Sequence, residues 1–68
     1  MFNLKWTNKY SLESGYVKRV MKVKGHFENT ANQAEAKKYR SEKMALKDIE
    51  VLTDIGEAQN NVFEVVEA

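Results

Sequence analysis

The chain has 68 residues, room for one domain, with 11 basic and 10 acidic side chains, no cysteine and no proline. Without cysteine there is no disulfide framework and no thiolate metal site, which suits a cytoplasmic protein. No apolar run approaches the ~20 residues that cross a bilayer, and the N-terminus alternates instead of forming an unbroken apolar stretch, so neither a membrane span nor a signal peptide is expected.

Phe2, Leu4 and Trp6 alternate with Asn3, Lys5 and Thr7. That period of two predicts a half-buried first strand with its aromatic face inward. Asn8 to Gly15, NKYSLESG, is polar and predicts a hairpin loop. Tyr16 to Phe27, YVKRVMKVKGHF, is the second extended stretch, its β-branched content favouring strand. A regular strand puts Val17, Met21 and Val23 on one face, interrupted by Arg19. Tyr16, Lys18, Val20, Lys22 and Lys24 then fall on the other. Gly25 marks either a bulge in one bent strand or a turn into a third, His26 to Asn29, and both readings stand.

Thr30 with Gln33 three residues later fits a capping box. From there one helix could run from Ala31 to Ile55, since nothing in the sequence breaks it. At 1.5 Å per residue it would be about 37 Å long, more than a three-stranded sheet covers. A short helical turn, then an extended link with Tyr39 inward, is therefore preferred. Ser41 is a fitting N-cap for the main helix, Ser41 to Gly56. Ala45, Ile49, Leu52 and Gly56 lie along one face at four-three-four spacing. Met44, Asp48, Val51 and Ile55 form the neighbouring row, with Asp48 as its polar gap. Gly56 fits the left-handed position that ends many helices. Glu57 to Asn61 is a polar connection, and Val62 to Glu67 a closing strand with Phe63 and Val65 inward. The expected fold is α+β: one domain, a single antiparallel sheet of three or four strands, and one main helix on one face, in the order β-β-(β)-α-β.

Few residues suggest chemistry. His26 is the only histidine, and acid–base or metal chemistry needs partners beside it. Glu28 alone shares its strand face, so a surface histidine is the better reading. The carboxylates Glu42, Asp48, Glu50, Asp54 and Glu57 are spaced like a solvated helix face. There is no phosphate-binding glycine loop, nucleophile elbow or calcium-loop spacing. No enzyme, cofactor or metal is expected. Charge is uneven: residues 1–27 carry six basic and one acidic side chain, residues 28–68 five and nine. The candidate binding face is Lys5, Tyr16, Lys18, Lys22 and Lys24, where lysines could neutralise phosphates and the tyrosine could stack on a base. The competing reading is a solvated outer sheet face.

The stretch from Glu35 through Ala36, Lys37, Lys38, Tyr39 and Arg40 to Ser41, then Ala45 and Leu46, then Phe63 to Glu67, resembles small proteins of phages and prophages of low-GC Gram-positive bacteria. Those share an EAKKY-[RK]-S link, an S-E-x-x-A-L helix and an F-E-[IV]-V-E last strand. The likeness covers about the last two-thirds of the chain. It implies a small accessory protein acting in the host cytoplasm through a host or phage partner, and it assigns no active site. The expected function is a non-enzymatic interaction protein that binds another protein, with nucleic-acid binding through the basic face as the alternative. A domain this small buries only about 60% of its unfolded surface, so homodimerisation would be an unsurprising supplement.

Overall fold

A computed structural model describes all 68 residues. Four strands, β1 (Phe2–Asn8), β2 (Ser14–Met21), β3 (His26–Thr30) and β4 (Asn61–Glu67), form one antiparallel sheet in the order β3-β2-β1-β4. One helix, α1 (Glu42–Asp54), packs on it, giving the α+β order β-β-β-α-β. No helix is long and apolar enough to cross a membrane.

Alternation along β1 decides the layers. Leu4 is fully buried and packs with Val17, Tyr39, Ala45 and Leu52. Phe2, Trp6, Phe63, Val65, Ile49 and Ile55 pack around that core, as the spacing of the first strand, the helix and the last strand predicts. Ser41 Oγ accepts from the Met44 N–H at 3.3 Å, capping the helix start. At its other end Gly56 takes φ +89°. That left-handed conformation suits a residue without Cβ.

The second extended stretch departs from a regular strand in two ways. It ends at Met21, and residues 22–25 form a turn into β3. Val23 is therefore a fully exposed turn residue, not part of an inward row. The pairing with β3 also slips: Val17 opposes Asn29 and Arg19 opposes Glu28, leaving Lys18 as the extra residue of a β-bulge. A one-residue insertion reverses which side chains face the core. Val17 and Val20 consequently both point inward, while Arg19 and Met21 share the outer face.

The bulge also opens the sheet. β2 pairs with β1 only opposite Lys5 to Thr7. Beside Phe2 its place is taken by Tyr39, whose N–H and C=O both bond to Phe2 at 2.9 Å, while the Lys37 N–H donates to the Val17 carbonyl at 3.0 Å. The long-helix alternative is thus excluded: after β3 there is only one short turn of 3₁₀ helix, Gln33–Glu35, and then this extended link. Its cap is Asn32, whose side chain accepts from the Ala34 N–H, so the capping box expected from Thr30 and Gln33 does not form. Gln33 Nε2 instead reaches Asn3 Oδ1 and the Glu67 carbonyl, both at 3.1 Å.

Gly15 stands opposite Trp6, and the indole covers it. With no side chain in between, Phe27 of one edge strand reaches both Trp6 and Phe63 of the other edge, at centroid distances of 6.4 and 5.4 Å, each edge to face. Edge strands of a flat four-stranded sheet would stand about 14 Å apart. The ring contact therefore requires the sheet to curl around the core.

Candidate functional site

Two places on the molecule carry features that packing alone does not demand: the link before α1, and the loop between β1 and β2.

Tyr39 is buried to 3% exposure because the link pairs with Phe2 and drives its ring under α1. Its hydroxyl donates to Asp48 Oδ2, which also accepts from Lys37 Nζ at 2.9 Å. The same ammonium lies 5.1 Å from the centre of the Tyr39 ring. Burial is the main reason the Tyr39 hydroxyl resists ionisation far above the ordinary tyrosine value, with the hydrogen bond to Asp48 and its negative charge adding to the shift. Asp48 is thus not the solvated helix-face carboxylate its spacing suggests. It fills the polar gap in its row because a tyrosine hydroxyl arrives there from another segment. A polar residue within an apolar stripe was the available signal, but its partner sits nine residues upstream and cannot be read from helical spacing.

Beside this group lies a cleft of about 310 Å³, lined by Lys37, Lys38, Tyr39, Met44, Lys47 and Asp48. Lys37 is committed to Asp48. Lys38 and Lys47 make no ion pair. Met44 is half exposed at the rim.

The second feature is the loop of residues 9–13. Asn8 Oδ1 accepts from the Tyr10 and Ser11 N–H groups, both at 2.9 Å, and the Leu12 N–H donates to the Asn8 carbonyl at 3.0 Å. The Asn8 N–H bonds to the Glu13 carbonyl and the Lys9 N–H to the Asn60 carbonyl, each at 2.8 Å. Within this frame Leu12 has φ +63°, the one non-glycine residue of the chain with positive φ. Tyr10 is 78% exposed and Leu12 75% exposed. Nothing in the sequence marks this: the segment is polar in composition and was expected only as a loop.

The five residues of the candidate basic face are distributed differently. Lys5 and Tyr16 are direct cross-strand partners on the face away from α1, and Glu64 opposes Lys5 on its other side. Lys18 is the bulge residue and lies 3.8 Å from Glu35. Lys22 and Lys24 belong to the turn beyond β2. They therefore do not project together from one strand face, because the bulge and the turn end the alternation that would have aligned them. Arg19, on the outer face, is 3.0 Å from Glu28. His26 is exposed at the start of β3.

No family model, characterised protein or solved structure matches the chain.

Proposed function

We propose that this chain is a small non-enzymatic interaction protein that binds another protein, in the phage or prophage setting implied by the pattern of its link, helix and last strand. One observation carries the reading: a hydrogen-bonded loop holds a leucine in left-handed backbone and presents it, with a tyrosine, to water. A bulky residue in that conformation costs about 1–3 kcal/mol, and such strain gathers at binding sites. Glycine would meet the backbone requirement without it. Because the loop is already fixed, little ordering cost remains when a partner closes over it. Tyrosine is among the residues that most often anchor protein interfaces. The exposed Tyr10 and Leu12 side chains fit an apolar cleft on the partner.

Capture from host lysate with a cross-linker tests this, wild type against a Tyr10→Ser, Leu12→Gly double variant. The expected result is a partner held by the wild type and lost by the variant, with thermal unfolding no lower than that of the wild type. Equal capture by both proteins would remove the proposal. So would binding only to nucleic acid, steeply weakened by salt and abolished by Lys22→Glu and Lys24→Glu.

A further inference from the structure

We infer that the cleft between the link and the first two turns of α1 is a binding site for a phosphomonoester, a dianionic phosphate carried on a small apolar body. The inference is independent of the loop and its protein partner.

The first support is the balance of charge within the cleft. Its one carboxylate, Asp48, already accepts from the Tyr39 hydroxyl and from Lys37 Nζ. The lysines left over are Lys38 and Lys47, and neither has a carboxylate within ion-pair distance. Two uncommitted ammonium groups match a dianion; a carboxylate would leave one of them unbalanced. Lysine also offers a compact point charge, suited to phosphate, in place of the planar fork with which arginine matches carboxylates.

The second support is independent of the cleft's shape. Helices favour acidic residues at the N-terminal end and basic ones at the C-terminal end. In α1 only Glu42 follows that rule. Lys43 stands beside it in the first turn, and Asp54 closes the last turn, which has no basic residue. Arg40 directly precedes the Ser41 cap in sequence, and Lys38 lines the cleft beside the first two turns. A charge pattern set against the helix's own field detracts from folding. Local rules broken without a structural gain are expected where a ligand supplies the compensation. Here the compensating charge is negative, and the cleft is where it can sit.

The third support is the wall. Met44 is half exposed on the cleft rim, a flexible, polarisable side chain suited to an apolar group of varied shape. A volume of about 310 Å³ lies at the small end of ligand sites. It suits a phosphate bearing one ring or a short chain, not a polymer.

The test is a titration of the isotope-labelled protein, followed by NMR of its amides and methionine methyls at constant ionic strength. The probes are phenyl phosphate, inorganic phosphate, benzoate and phenol. Phenyl phosphate should shift the Met44 methyl and the amides around Lys38 and Lys47. Inorganic phosphate should bind the same residues at least threefold more weakly, benzoate more weakly still, and phenol not at all. Lys38→Gln with Lys47→Gln should weaken phenyl phosphate at least tenfold without lowering the unfolding midpoint. Met44→Ala should remove its advantage over inorganic phosphate. The inference is overturned if millimolar phenyl phosphate leaves these residues unmoved or if the lysine variant binds equally well. It is also overturned if the shifts spread evenly to Lys5, Lys22 and Lys24, which would report unspecific attraction to surface charge.

Discussion

Tyr39 shows how much one hydroxyl can organise. It ties the link to α1 through Asp48, and the tie is made where water is scarce. Tyr39→Phe keeps the ring and removes the donor. Asp48 retains Lys37 and some access to water, so the loss should be about 1–2 kcal/mol, read by urea unfolding at pH 7. The pH dependence follows from the raised ionisation of the folded tyrosine. Below the unfolded value, near 10, its contribution is fully present. As pH rises past 10 the unfolded chain releases the proton first, and wild type loses about 1.4 kcal/mol per pH unit that Tyr39→Phe does not lose. The gap between the two proteins should therefore shrink above pH 10 and reverse between about pH 10.5 and 11.5. A constant gap would mean that the hydroxyl is no more buried than in the unfolded chain. Gly15 is a second position where one atom decides. A Cβ there would meet Trp6 Nε1 at 3.0 Å and the Thr30 carbonyl oxygen at 3.1 Å. Gly15→Ala should cost about 1–3 kcal/mol, the range for overfilling a packed site, and should weaken the near-ultraviolet dichroism of Trp6.

At the scale of elements, the β1–β2 loop trades fit for display. Leu12→Gly should raise stability by up to about 1 kcal/mol, the relief of left-handed strain less the added freedom of the unfolded chain. Leu12→Val, β-branched at the same φ, should lower it by about 1 kcal/mol or more. Thermal melts of the two variants against wild type read this directly, and a destabilised glycine variant would show that the loop is not strained. The strain has no sequence marker, which is why the loop was legible only as a loop. β1, α1 and β4 were legible because their signals are local: period two around Leu4, a serine cap at Ser41, a glycine stop at Gly56. β2 was legible as a strand but not in its faces. Its bulge falls on Lys18, with no glycine to announce it, and the one hint was Arg19 interrupting an apolar row. The basic face was read from the opposite row, Tyr16, Lys18, Lys22 and Lys24, and the bulge and turn set those residues apart. The Tyr39–Asp48 pair could not be read because it joins two elements, and only the extended link brings them together.

Across the whole molecule, the chain is held less by the breadth of its core than by how its ends are tied. Asn3 is fully buried on the side of β1 away from Leu4. Its Nδ2 donates to the Lys37 carbonyl at 2.9 Å and its Oδ1 accepts from Gln33 Nε2, which also donates to the Glu67 carbonyl. Two side chains, Asn3 and Gln33, thus join the first strand, the 3₁₀ turn, the link and the last strand, while Tyr39 enters the core on the other side of the sheet. The link passes from one layer to the other beside β2, in the opening left by the bulge. Asn3→Ala would strip the Lys37 carbonyl of that donor and Gln33 of one acceptor, at a cost of about 2 kcal/mol. That is a large share of the roughly 3–10 kcal/mol that holds a chain of this length. If the tie works as a clasp, the loss should not be uniform. In native-state hydrogen exchange the Lys37 and Tyr39 amides, bonded to Val17 and Phe2, should exchange through a local opening well before the β1–β4 ladder. Wild type should protect both sets to a similar degree. Equal acceleration of the two sets in the variant would mean that Asn3 supports the fold only through its general stability, and that the link has no independent hold.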